Sequence, residues 1–206
     1  MHPQILTEEQ HKLLPFISKF SRSYYLVGGT AIALQIGHRR SIDFDLFTAK
    51  KINKQLVSKT VAHFAPKDFS FIMKESDQVH YTIHGVKVTF FEFPFTIKAS
   101  VSFDGVIRMP DLLTLSAMKA FAMGDRAKWK DYVDLFFLLK YHFTFEQIAD
   151  KAEELFTAEF NSKLFRLQLS YFEGINYTEG VEYVIANPPS EDEIKSFLTE
   201  VATQPF

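Results

Sequence analysis

The sequence predicts an α/β (α+β) protein, with a mixed α/β half over residues 1–108 and a helical half over residues 109–206. Three observations predict it. Residues 41–47 alternate with a period of two, the pattern of a half-buried strand. Residues 68–93 hold short runs rich in β-branched and aromatic residues, two of them separated by His84-Gly85, a two-residue hairpin turn. Beyond about residue 108 the texture becomes helical.

Taken in order, Thr7-Glu8-Glu9-Gln10 reads as a capping box that opens a helix running to about Phe20. Leu13, Leu14, Ile17 and Phe20 form its apolar stripe. Tyr24-Tyr25-Leu26-Val27 is an apolar run closed by Gly28-Gly29, which predicts a buried strand and a tight turn. Thr30 to Ile36 is a short helix stopped at Gly37. In the strand from Ser41 to Phe47, Ile42, Phe44 and Leu46 share one face, and Asp43 and Asp45 share the other. An amphipathic helix over Lys51–Phe64 comes next. Strands then follow over Asp68–Met73, Gln78–Ile83 and Val86–Phe93, the last closed by Pro94. The second half reads as helices over Asp111–Met123, Lys128–His142, Phe145–Phe156 and Phe160–Phe172. A last helix opens at Ser190-Glu191-Asp192-Glu193, after the Asn187-Pro188-Pro189 break.

Composition narrows the function classes. With 206 residues, 47% of them hydrophobic and 23 of them Phe, the chain is long and apolar enough to bury a core without staples. The absence of Cys excludes disulfides, thiolate zinc sites and a Cys nucleophile. The start at Met1-His2-Pro3-Gln4 lacks the basic and apolar regions of a signal peptide, and no apolar run reaches the roughly 18 residues of a membrane span. A cytoplasmic protein with no membrane partner is expected. The net charge of −2 argues against gripping duplex nucleic acid chiefly through phosphates. Two local basic runs exist, His38-Arg39-Arg40 and Arg126, Lys128, Lys130.

Two carboxylates two apart on a strand project from one face, with Cα atoms roughly 6–7 Å apart. Two readings fit Asp43-Phe44-Asp45 alone: a solvent-facing polar row, or a site for Mg²⁺, which takes hard oxygens from one or two carboxylates and substrate phosphates. Gly28-Gly29-Thr30, between a strand and a helix, is either an ordinary turn or a phosphate seat at a helix N-terminus. Arg39 and Arg40, just before the acidic strand, are placed to reach a triphosphate or to line a solvated loop. The order strand, Gly-Gly-Thr, helix, Asp-Phe-Asp favours the phosphate-plus-metal layout.

In the second half, Asp131 and Asp134 share a helix face, and Asp134 interrupts an apolar run from Val133 to Leu139. A carboxylate there needs a partner; Lys119 or Arg126 would supply a structural ion pair between helices. Trp129 reads as core, and His80 and His84 lack a third ligand in sequence.

The stretch Leu26-Val27-Gly28-Gly29-Thr30-Ala31-Ile32-Ala33-Leu34, followed by His38-Arg39-Arg40-Ser41-Ile42-Asp43-Phe44-Asp45-Leu46-Phe47, resembles the DNA-polymerase-β-type nucleotidyltransferase signature. The fuller pattern resembles the AbiEii/AbiGii nucleotidyl-transferase toxin family, with Lys119 and Lys130-Asp131-Tyr132-Val133-Asp134-Leu135 matching its second element. The likeness covers about residues 20–140.

The resemblance implies a mixed sheet with flanking helices and transfer of an NMP from an NTP to an acceptor hydroxyl. It implies Mg²⁺, two ions with bound NTP, at Asp43 and Asp45. Gly28, Gly29, Thr30, Arg39, Arg40 and Lys119 would bind nucleotide, and Asp43, Asp45, Lys119 and Asp131 would carry catalysis. A toxin acting on RNA or tRNA, with an antitoxin partner, follows from the same likeness. A small-molecule acceptor, or a degenerate fold used for nucleotide or partner binding, is the alternative. The superfamily's third carboxylate falls at Thr89 here; Glu92 lies three residues on and needs a bulge to join the metal site, and Asp77 and Asp104 are weaker candidates.

Overall fold

The computed structural model describes residues 1–65, 67–75, 77–124 and 128–204. Arg126, a member of the second basic run, lies outside the described residues. The chain forms two compact units, Met1–Asp111 and Leu112–Phe206.

In the first unit, α1 (Glu8–Ser18) starts at the capping box: Gln10 N donates to Thr7 Oγ1 at 3.2 Å, and Thr7 N donates to Gln10 Oε1 at 3.0 Å. Gln10 is fully buried, and its Nε2 also donates to the Ser41 carbonyl at 2.9 Å. One side chain thus caps the helix and anchors the segment leading to the acidic strand. β1 (Tyr25–Val27) runs directly into α2 (Gly28–Ile36), which ends at Gly37 with φ of 69°. Then come β2 (Phe44–Thr48), α3 (Lys54–Val61), β3 (Phe69–Lys74), β4 (Gln78–Ile83) and β5 (Val86–Glu92). His84 and Gly85 both take positive φ, as a tight hairpin turn requires.

The five strands form one mixed sheet in the order β1-β2-β5-β4-β3, in which only β2 and β5 pair in parallel. Phe44, Leu46, Val88 and Phe90 fill one face, where the Phe20 and Tyr24 rings meet Phe90 at 4.8 and 5.4 Å. Asp45, Phe47, Thr89 and Phe91 stand on the other face, with Phe47 and Phe91 edge to face at 4.9 Å.

The structure corrects several sequence expectations. β2 begins at Phe44, not Ser41, so Ile42 does not join the Phe44–Leu46 face and is 59% exposed. The segment before it is held by side chains instead of ladder bonds. α2 includes both glycines instead of starting at Thr30. An additional hairpin, β6 (Val101–Phe103) and β7 (Ile107–Met109), turns at Asp104-Gly105 and packs against β1.

The second unit is helical: α4 (Leu112–Met123), α5 (Trp129–Tyr141), α6 (Phe145–Phe156), α7 (Ser162–Leu169) and α8 (Glu191–Thr203). α7 is shorter than the spacing predicts, since Asn161 caps it and Ser170 ends it. Phe121 stacks on Phe156 at 4.2 Å, and Phe136 meets Phe197 at 5.3 Å. Among the described residues no helix is long and apolar enough to cross a membrane.

Because Gln10 serves both the α1 cap and Ser41, Gln10→Ala is expected to cost about 1–3 kcal/mol, the range for leaving buried polar groups unsatisfied. Chemical denaturation against wild type checks this; a loss below about 0.5 kcal/mol would show that the anchor carries little.

Candidate active site

Asp45 is placed by the β1–β2 ladder, which pairs it with Val27, the residue before the two glycines. Gly28 takes φ of 73°, and a Cβ there would collide with Asp45 Oδ2. Only glycine meets both demands. A Cβ on Gly29 would stand 2.6 Å from Arg39 Nη2 and 2.9 Å from Ser41 Oγ. Two consecutive glycines therefore bring the start of α2 against a carboxylate on one side and a guanidinium on the other.

Asp43 and Asp45 are both half-buried. Asp43 precedes β2 and is fixed through its main chain: the Thr30 hydroxyl, itself buried, donates to the Asp43 carbonyl and lies 3.3 Å from that of Ser41. Thr30 thus meets the backbone of the acidic segment. Arg39 is buried and donates from Nη1 to the Arg40 carbonyl at 2.9 Å. Arg40 Nη1 lies 3.5 Å from each of the carbonyls of Gln4 and Leu6.

The β2–β5 register sets Thr89 beside Asp45 and aligns Glu92 with Thr48, on the opposite face. There Glu92 contributes, after burial and against an Asn53 backbone bond, to the raised pKa of Tyr24. The sheet does not bring Glu92 to Asp45, since β2 and β5 stay in step throughout. Asp77 precedes β4 and Asp104 sits in the β6–β7 turn; neither stands in the Asp45 row. His80 does. It pairs with Thr89 across β4–β5, its Nδ1 lies 3.1 Å from Thr89 Oγ1, and its Nε2 lies 2.9 Å from Gln78 Oε1. Burial lowers the His80 pKa, Lys87 lowers it further, and Asp45 and Glu75 work the other way. The signal for this pair was in the sequence: His80 lies four residues before His84 and Thr89 four after Gly85, so a tight turn there makes them neighbours.

Asp45 and the Thr89 hydroxyl, neighbours across β2 and β5, are hard oxygen donors of the kind a divalent cation takes, and Asp43 lies two residues before Asp45. Among the described residues no three acidic or imidazole side chains cluster into a cage. Mg²⁺ commonly completes such a partial set with water and phosphate oxygens.

In the helical unit, Lys119 is 5% exposed, and its Nζ lies 2.6 Å from Asp131 Oδ1 and 3.0 Å from Asp134 Oδ2. Both carboxylates are fully buried. One lysine therefore ties α4 to two acids of α5. Lys128 Nζ meets Glu179 Oε1 at 2.6 Å, and Lys130 meets the other oxygen of the same carboxylate. Trp129 stacks on Tyr132 and Tyr177.

The first strand of this mixed sheet enters a Gly-Gly helix start beside an acidic strand, the layout that the nucleotidyltransferase signature implies. The chain belongs to the family described as Nucleotidyl transferase AbiEii toxin, Type IV TA system, which matches residues 16–204; it is a nucleotidyltransferase by that membership. It is 29% identical over 143 residues to an uncharacterised protein of Aquifex aeolicus, covering 66% of this chain and 68% of that one. Its fold is similar to JHP933 of Helicobacter pylori, with TM-score 0.56, 18% identity, and coverage of 96% and 91% of the two chains. It is also similar to MenT4, a nucleotidyltransferase toxin of Mycobacterium tuberculosis, with TM-score 0.62, 12% identity, and coverage of 94% and 80%.

Lys119→Ala strips the cation from two buried carboxylates and is expected to cost about 3–5 kcal/mol, with much of the loss recovered when Asp131 and Asp134 are also made apolar. Thermal melts of the single and triple variants test this; an unchanged melting temperature for Lys119→Ala would contradict it. Gly28→Ala is expected to cost at least about 1 kcal/mol through φ alone and to push the Asp45 carboxylate aside. A crystal structure of the variant with Asp45 unmoved would refute the second part.

Proposed function

We propose that this protein moves an NMP from an NTP to a hydroxyl of RNA, in the narrowest case tRNA, as the toxin of a pair with an antitoxin in the cytoplasm. The observation that supports it is the pair of glycines that sets a guanidinium and a carboxylate against the first turn of α2. A triphosphate carrying its cation has the complementary charges. Its phosphate oxygens suit the α2 amides and Arg39, and its cation suits Asp43 and Asp45.

Each residue then has a part. Gly28 lets the backbone come close to Asp45, Thr30 fixes the main chain of Asp43, and Arg39 takes phosphate charge. Mg²⁺, two ions in the family pattern, would neutralise phosphate charge and align the acceptor hydroxyl when bound. The acceptor oxygen forms its bond to the α-phosphorus as the α–β phosphoanhydride bond breaks, pyrophosphate leaves with the electron pair, and the hydroxyl proton passes to water. A catalytic part for Lys119 and Asp131, which pair with each other inside the helical unit, rests on the family pattern alone.

RNA as acceptor rests on membership of the toxin family. The net charge of −2 favours a second reading, a small-molecule acceptor.

Incubation of each labelled NTP with total RNA and Mg²⁺ tests the proposal. Label is expected to enter RNA, to stop entering with EDTA, and to fall about a hundredfold or more in Asp43→Asn/Asp45→Asn. Label transferred to aminoglycosides but not to RNA supports the second reading. Nucleotide binding with no transfer to either acceptor would refute both.

A further inference from the structure

One row of side chains crosses the sheet at Asp45. The ladders pair Asp45 with Thr89 and Thr89 with His80, so the three stand side by side on β2, β5 and β4. Thr89 and His80 are buried. Beyond His80 the row continues as a chain of hydrogen bonds, and its direction is fixed from the far end. The Glu75 carboxylate only accepts, so its 2.7 Å contact with Gln78 Nε2 turns the amide NH₂ toward Glu75. Gln78 Oε1 is thereby left facing His80 Nε2 at 2.9 Å, and a carbonyl oxygen there requires the proton on Nε2. A neutral imidazole has one N–H, so Nδ1 accepts, and Thr89 Oγ1, 3.1 Å away, donates to it.

The consequence falls on Asp45. A Thr89 hydroxyl that donated to Asp45 would occupy a carboxylate lone pair and compete with a cation. Donating to His80 instead, it keeps its own lone pairs as acceptors beside the carboxylate. We propose that His80 is a positioning residue, which through Thr89 holds a neutral oxygen donor next to Asp45 for the divalent cation that accompanies the nucleotide. The relay Glu75–Gln78–His80–Thr89 sets the sense of that donor. A hydroxyl in place of a third carboxylate also leaves the site one negative charge short, so cation binding leans on the charge of the triphosphate. The inference rests on Asp43 and Asp45 being cation ligands.

Mn²⁺ binding, followed by electron paramagnetic resonance with a non-hydrolysable ATP analogue present, tests it. Thr89→Val, close to isosteric, is expected to weaken Mn²⁺ binding about tenfold, and Thr89→Ser to recover most of that loss. His80→Phe should weaken binding comparably on its own, yet add less than about twofold in the Thr89→Val background, because it acts through Thr89. Gln78→Leu, which frees the tautomer at a half-buried position, gives the same test should His80→Phe not fold, with a smaller loss expected in the same direction. Thr89→Val within about twofold of wild type would overturn the proposal, as would His80→Phe or Gln78→Leu costing as much with Thr89 replaced as with it present. Asp45→Asn that kept wild-type Mn²⁺ affinity would overturn the cation site itself, and this inference with it.

Discussion

The candidate site depends on one close approach, that of the Gly28 backbone to the Asp45 carboxylate. The antiparallel pairing of Val27 with Asp45 forces it, because the chain must leave β1 and start α2 directly beside that residue. A side chain at Gly28 would both meet the carboxylate and strain the backbone. A helix start and an acidic strand end up nearer to each other than any other residue would permit. Under the proposed function, that proximity would let phosphate and cation be met in one place.

Buried polar groups hold this arrangement in register. Gln10 ties α1 to Ser41, and Thr30 ties α2 to Asp43, so the irregular segment before β2 is fixed without ladder bonds. Across the sheet, His80 and Thr89 fix the row on the other side of Asp45. Gln10, Thr30, Ser41, His80 and Thr89 are buried, and a buried polar group is costly unless its partner is in place, so the network favours one arrangement strongly. In the helical unit the Lys119–Asp131–Asp134 cluster does similar work, with full charges in place of dipoles.

Much of this was legible in the sequence because it rests on local rules. The period-two alternation located β2, the capping box located α1, and Gly28-Gly29 marked where β1 gives way to α2, though as the helix's first residues and not as a turn. Ile42 shows where a pattern misleads: it fits the alternation, but the strand has not begun, so nothing covers it. The β6–β7 hairpin carried an Asp-Gly signal between short alternating runs, too brief to stand out beside the longer strands. Register was the harder part. That Glu92 falls on the far face and Thr89 beside Asp45 follows from the parallel β2–β5 pairing, which joins residues far apart in the chain. Likewise, Asp134 interrupting an apolar run signalled a buried charge, whereas its sharing of Lys119 with Asp131 follows from how two helices pack.

In the proposed function, the Gly28-Gly29 start of α2 and the Asp43–Asp45 pair form one seat for a cation-bound triphosphate. Anomalous diffraction from crystals grown with Mn²⁺ and a non-hydrolysable NTP measures it most directly. An anomalous peak is expected between the Asp43 and Asp45 carboxylates, with phosphate density against the α2 N-terminus and Arg39. Nucleotide and metal bound together elsewhere, with these carboxylates uncoordinated, would contradict it.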